Sequence, residues 1–486
     1  MAESPPSDRP PLPDGIVAFV KRDCPTCELV VPALAQLAAA GPLTVYSQDD
    51  PSFPEGLAPQ DETSLERSWH HEIEAVPTLI RVEGGRERER VLGWHRGEWE
   101  ALTGVAGLGP DLPETRPGCG SLSVDPSRVD ALRVKFSGSK LHARRVELAD
   151  LEDEWEALHA RGWSDGLPLV PPTERRVLAM LEGTTRAPDE VVAAVPPDLA
   201  PCTVEKVAIN AVMAGCQPDY LPVVLAALEA ICTDAFNIHG VLATTMGVGP
   251  VLVVNGPIRH ALAMNSGINV FGQGNRANST IGRAVQLVVR NVGGGRPGEV
   301  DRATFGSPSK LGFCIAEDEE GSPFAPFSAT FGIAPGRNAV SVFAGESPRT
   351  IVDQLSRDPE SLCRSFAACL GTVCHPKLVL GFDAILAMGP EHSRIFRAAG
   401  WDKEKVLARL HELLMIPGAE LVRGAGGIAE GIPMAAEDAP PALPKFKPGG
   451  LHILHCGGGA GLFSTVIGGW ANGEIGSQPV CREIGS

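Results

Sequence analysis

The feature that most constrains this chain is a pair of cysteines, Cys24-Pro25-Thr26-Cys27, set between a short apolar run and a helical pattern. Ile16-Val-Ala-Phe-Val20 is continuously apolar, which suits a buried strand. Leu29, Val30, Leu34, Leu37 and Ala38 then recur at the spacing of one helix face. A helix that starts on the cysteines puts Cys24 among the unpaired N–H groups of its first turn, where a thiolate is favoured. Cys27 falls one turn further on, near enough to attack a mixed disulfide on Cys24. Pro25 holds the turn and offers no competing N–H. The residues therefore point to thiol–disulfide exchange. Two other readings stay open: half of a zinc site, although structural zinc needs four ligands and no second C-x-x-C is present, and a scaffold whose thiols are idle.

Leu43-Thr-Val-Tyr46 predicts a second strand, 49–61 a Pro-rich loop, and 62–72 a helical stretch. Val76-Pro-Thr-Leu-Ile-Arg-Val82 predicts a strand, Gly84-Gly85 a turn, Arg90–Trp94 another strand and 97–104 a helix. This order, with the motifs Cys24-Pro25-Thr26-Cys27 and Val76-Pro77-Thr78, resembles the thioredoxin superfamily over residues 15–105, about a fifth of the chain. The resemblance implies a thioredoxin fold, a cis bond before Pro77, and a place for Pro77 against the cysteine pair, where it helps hold a bound thiol substrate. Two positions depart from the pattern. Asp23 stands where a tryptophan is usual, and Ala18 stands where a buried carboxylate is usual. Both argue against a general-purpose thioredoxin.

The remaining length sets the organisation. A chain of 486 residues predicts two to four domains. With 43 % hydrophobic and 21 % charged residues it is not a disordered polymer. A formal charge of −17 repels phosphate backbones, which disfavours nucleic acid as a partner. No apolar run reaches the roughly 18 residues of a membrane span, and 1–15 lacks the apolar segment of a secretory signal. Twelve cysteines in so long a chain fit a reducing cytoplasm better than a secreted disulfide framework. Residues 1–14 read as a disordered tail, 15–105 as the thioredoxin-like domain, 106–144 as a Gly-, Pro- and Ser-rich linker, and 145–486 as a larger α/β domain, with a further division near 345–350 as an option.

In the larger region Val204, Val207, Ala208, Ala211 and Val212 define a helix face. Cys202 or Thr203 is its predicted cap, which makes Cys202 a candidate activated thiol. Phe271-Gly-Gln-Gly-Asn-Arg-Ala-Asn-Ser-Thr-Ile-Gly-Arg283 combines glycines, helix-capping groups and two cations. Asn275, Arg276, Asn278 and Arg283 are its candidate ligands for a carboxylate or phosphate at a helix start. A structural turn and a dinucleotide site are the alternatives. Cys456 ends the apolar strand Leu451–Leu454 and enters the turn Gly457-Gly458-Gly459, a position where α/β folds place reactive side chains. His392, with Glu391 to orient it, is a candidate base at a helix start, and Glu317-Asp318-Glu319-Glu320 reads as a solvated turn or a magnesium site.

The sequence thus predicts an α/β chain, a cytoplasmic oxidoreductase without cofactor or metal. Cys24 and Cys27 exchange electrons with a cysteine of the larger domain, Cys202 or Cys456, and Cys119 in the linker is a candidate relay. The expected partners are a small-molecule or protein thiol and a cellular thiol reductant, with neither nucleic acid nor membrane. The alternative is a non-redox lyase or hydrolase that uses a cysteine of the larger domain, with the first domain as a docking module.

Overall fold

A computed structural model describes residues 9–136, 141–146, 148 and 152–485. It is a mixed α/β structure with several sheets. The chain divides into two units at Lys140/Leu141.

The first unit is built on strands β1 (Gly15–Val20), β2 (Leu43–Ser47), β3 (Gln60–Asp61), β5 (Thr78–Glu83) and β6 (Arg86–Leu92), with β4 (Ala75–Val76) leading into β5. The sheet order is β3-β2-β1-β5-β6. β1 runs parallel to β2 and antiparallel to β5, so it is the central strand. Val17 to Val20 are all buried because both faces of β1 are covered, as its continuous apolar pattern requires. Pro25 sits in the first turn of the helix Pro25–Leu29, and the helix Val31–Ala40 follows directly. The helix Arg96–Thr103 starts on His95 and buries Trp99 edge-on against Trp94.

Two expected boundaries are corrected here. Residues 1–8 lie outside the described residues, but 9–14 are packed: Leu12 is buried and the Pro10 carbonyl meets the His71 ring at 2.8 Å. The predicted linker is equally structured over much of its length. β7 (Trp94–His95) pairs with β8 (Thr115–Arg116), and β4 pairs with β9 (Cys119–Gly120). Ser121 and Leu122 are held by the buried amide of Gln48, and Ser123 by the Ile73 carbonyl.

The second unit carries a two-stranded ribbon, β10 (Val191–Val195) with β11 (Ala200–Thr203), and an eight-stranded sheet. The strands of that sheet are β12 (Gly249–Asn255), β13 (Phe313–Ala316), β14 (Ala339–Gly345), β15 (Arg349–Val352) and β16 (Phe382–Met388). After a short ribbon of β17 (Met415–Pro417) and β18 (Ala442–Pro444) come β19 (Leu451–His455), β20 (Phe463–Ala471) and β21 (Val480–Glu483). The order β13-β12-β14-β20-β16-β19 is a duplication. In each half a central strand (β12 or β16) has a parallel outer neighbour (β13 or β19) and an antiparallel inner one (β14 or β20). The fourth strand is exchanged: β15, which follows β14, pairs with β20, and β21, which follows β20, pairs with β14.

Besides these exchanged strands, β14 and β20 themselves pair at one position, Gly345 opposite Gly469. Side chains have no room there, since a Cβ on Gly345 would lie 2.8 Å from Ile467 and from Val251. The option of a division near 345–350 thus falls on the seam of a duplicated sheet, within one unit. Alternate residues face opposite sides, as the pleat dictates. Val251, Val253, Ile385, Ala387 and Leu454 form an inner core, while Leu252 and Val254 belong to a second core shared with residues of the helices Val204–Ala214, Leu221–Ile231 and Arg276–Asn291. The outer strands approach each other at their ends, where the Asp318 N–H donates to the His455 carbonyl at 2.9 Å. No helix among the described residues is long and apolar enough to cross a membrane.

Candidate functional site

In the first unit three thiols gather at the end of β1. Cys24 is the residue on which the helix begins; its sulfur accepts the Cys27 N–H at 3.3 Å. In its thiol form Cys24 donates to the Val76 carbonyl at 3.5 Å. Val76–Pro77 is a cis peptide, so Pro77 follows immediately the carbonyl that touches Cys24. Cys119 is the residue opposite Val76 in the β4–β9 pair, and it is half-buried against the same core.

The electrostatics separate the three. The Cys27 thiol, hydrogen-bonded to Cys24, brings Cys24 down to about 5. Burial opposes this, and the Cys119 thiol and the N–H groups of Cys27 and Thr26 assist it. Cys27, fully buried, is driven far up by loss of water and then by the neighbouring Cys24 sulfur. Cys119 is raised by burial and by Cys24. Ala18 is fully buried in the core beside them, and it brings no carboxylate to the pair.

Cys24 itself is only 1 % exposed. Its cover is the segment that carries β8 and β9. Thr26 Oγ1 donates to the Pro117 carbonyl at 2.8 Å, and Lys21 Nζ donates to the Gly120 carbonyl at 3.0 Å. Gly118 is required here: a Cβ would stand 2.9 Å from the Val76 oxygen.

The anion site expected in the second unit is not assembled. Arg283 forms a paired ion bridge with Asp165, both contacts 2.8 Å, and also donates to the Leu167 and Pro168 carbonyls. Arg276 is spent on the carbonyls of Gly215 and Cys216. Asn275 caps its own helix, Arg276–Asn291, by accepting the Asn278 N–H, and it donates to the Ala263 carbonyl. The Asn278 amide closes on the backbone of Asn265. All four side chains bond to polar groups of the fold itself.

The two predicted reactive thiols of this unit are both buried. Cys202 lies in β11, fully buried, and loss of water pushes it up to about 12; Thr203 is the cap, accepting the Lys206 N–H. Cys456 is 3 % exposed and is driven up first by burial and then by Glu317 and Asp318. The acidic run is not a solvated turn. Glu317 is buried and accepts from Asn255 and the Phe327 N–H, while Glu319 and Glu320 pair with Arg259. Among the described residues no group of three or more His, Cys, Asp or Glu side chains is placed to hold a metal ion.

Cys456 nevertheless borders a cavity of about 440 Å³, with Ile268, Phe271, the turn Gly457–Gly459, Phe463 and Ser464. Ser464 is the residue that sequence reasoning missed. The His392 ring reaches the Asp353 carbonyl through Nε2 at 3.0 Å. A carbonyl only accepts, so Nε2 carries the proton and Nδ1 accepts the Ser464 hydroxyl at 2.8 Å. Glu391 does not orient His392, because its carboxylate accepts the Leu462 N–H. No local motif marks Ser464; it sits inside β20, 72 residues from His392.

Comparison of the chain with family models, with curated proteins and with solved structures gives no match.

Proposed function

We propose that the protein is a thiol–disulfide oxidoreductase whose first unit has a thioredoxin-like arrangement and whose nucleophile is Cys24. The observation that carries this reading is a sulfur at a helix start that accepts the Cys27 N–H at 3.3 Å; this donor, with the Cys27 and Cys119 thiols, favours the thiolate and draws Cys24 down to about 5. At neutral pH such a group is almost wholly thiolate. It attacks a disulfide R–S–S–R′, forming Cys24–S–S–R and releasing R′S⁻. A second thiol of the unit then attacks Cys24, forms an internal disulfide and releases RS⁻. A cellular thiol reductant restores the dithiol, which places the work in a reducing compartment such as the cytoplasm.

The fold part of the proposal rests on the inner strands β2-β1-β5-β6 and on Pro77 next to the cysteine pair. The short β3, which follows β2 in sequence and takes the outer edge, lies outside the resemblance. The test is reduction of a small disulfide, such as oxidised glutathione, by the full chain in the presence of a dithiol. Turnover vanishes in Cys24→Ser, and the wild-type alkylation rate has its inflection near pH 5. An inflection near 9 removes the reading.

A second reading is favoured by the Ser464–His392 pair at the cavity. It gives the second unit a non-redox acyl transfer in which serine, rather than cysteine, is the nucleophile. Labelling of Ser464 by a fluorophosphonate, lost in His392→Ala, is its test.

A further inference from the structure

The residues that bury Cys24 are the ones expected to mark a linker. They run along β4 as a short antiparallel strand, with Cys119 opposite Val76 and Gly120 opposite Ala75. The Val76 carbonyl is the group that Cys24 touches, so this is the edge along which an extended disulfide substrate would align its own backbone. The chain has filled that edge with itself and has put a cysteine at the matching position.

The alternative resolving thiol, Cys27, is poorly equipped. It is fully buried, and Ala18 supplies no carboxylate to take its proton. Cys119 is only half-buried, on a segment held by the two-residue β7–β8 and β4–β9 pairs and by single bonds from Thr26 and Lys21. Cys119 stands opposite Val76 in the β4–β9 pair, and Cys24 reaches the carbonyl of that same Val76 at 3.5 Å, so both thiols lie on one short stretch of edge.

Resting on the function proposed above, we infer that Cys119 is the resolving thiol, and that the segment 115–120 is an internal occupant of the substrate edge that closes a Cys24–Cys119 disulfide. A small disulfide enters as the segment lifts, and Cys24 forms the mixed disulfide Cys24–S–S–R with release of R′S⁻. The segment returns, the Cys119 thiol gives up its proton to the departing sulfur, and its thiolate attacks the Cys24 sulfur. The Cys24–Cys119 bond forms as R leaves as a thiol. Two protein thiols are oxidised and one disulfide is reduced, so the electrons balance.

The experiment treats the full, reduced chain with oxidised glutathione, quenches with an alkylating agent and maps the cysteine peptides by mass spectrometry. The expected product links Cys24 to Cys119, in wild type and in Cys27→Ser alike. Cys119→Ser is expected to stop at the glutathione adduct on Cys24. A bond between Cys24 and Cys27 with Cys119 alkylated overturns the inference and leaves the oxidoreductase reading intact. Cys24 recovered alkylated, with neither adduct nor disulfide, sinks both.

A second variant guards against misfolding at position 119. Gly118→Val lifts the segment, because its side chain would meet the Val76 oxygen. It is expected to speed Cys24 alkylation at least tenfold and to lose the Cys24–Cys119 link. Unchanged rate and unchanged linkage would overturn the inference.

Discussion

Cys24 and Cys456 each follow a buried strand, β1 and β19, and each is almost wholly covered, yet their sulfurs are driven in opposite directions. Around Cys24 stand donors: the Cys27 thiol, the N–H groups of the helix start and the Cys119 thiol. Around Cys456 stand the carboxylates of Glu317 and Asp318, in a core lined by Val251, Ile385 and Leu454. Burial acts against the thiolate in both places. A strand end followed by a turn is therefore not what makes a cysteine reactive; donors aimed at the sulfur have to outweigh its burial, as they do at Cys24 and not at Cys456.

The largest effect that tests this contrast is on turnover. Cys24→Ser abolishes disulfide reduction, whereas Cys456→Ser leaves it within about twofold of wild type. Initial rates of glutathione disulfide reduction check both. Comparable losses in the two variants would mean that the units do share an electron path and that the contrast is misread.

The next effect separates a buried imidazole from a buried carboxyl within the second unit. His452 lies against Phe327, Phe331 and Phe343, with no hydrogen-bond partner for either ring nitrogen among the described residues, and burial lowers it from 6.5 to about 4. Between those values the unfolded chain takes a proton that the folded one refuses. Stability is lost as pH falls from about 6.5 to 4, by about 3 kcal/mol in all. Glu317 does the opposite. Burial raises it from 4.5 to about 7, so its contribution is fully present below 4.5 and is lost as pH rises through 7, again by about 3 kcal/mol.

The two nearly cancel in wild type. His452→Phe unmasks Glu317, and the second unit then gains stability relative to wild type on acidification. Glu317→Gln unmasks His452 and reverses the slope. Urea unfolding from pH 4 to 7 reads both slopes; parallel curves for the two variants would break the assignment.

Gly345→Ala comes third. Its Cβ would press on Ile467 and Val251 at the single position where β14 and β20 pair, an overpacking worth about 1–3 kcal/mol. The expected result is a lower urea midpoint for the second unit with an unchanged alkylation rate at Cys24. A simultaneous change at Cys24 would show that the units are not independent.

What could be read from the sequence follows the range of the interactions involved. The cysteine pair, β1 and the helix behind it are local, and the apolar spacing of residues 16–38 carries them. The expected linker, 106–144, is packed over much of its described length because Gly, Pro and Ser report how a chain turns, not whether it packs. The glycine at 118, needed for close approach to Val76, was the available signal. Arg283 showed its charge but not its partner, since Asp165 lies 118 residues away. The sheet duplication was equally hidden, because its halves correspond in strand order and direction over a distance no short repeat reveals.

The smallest effect is the most discriminating for the opening contrast. If burial, the leading cause, silences Cys456, then removing the charge beside it changes little. Glu317, raised to about 7, is already half protonated at neutral pH, so the charge that Glu317→Gln removes is partial. Gln also keeps an oxygen for the Phe327 N–H, which Glu317 accepts at 2.6 Å. Cys456 alkylation in Glu317→Gln should therefore rise less than threefold at pH 7, a shift of about 0.6 kcal/mol or less. A rise of tenfold or more would assign the silence of Cys456 to its carboxylates. The difference between the two thiols would then be one of charge alone, and Cys456 would return as a candidate nucleophile at the cavity.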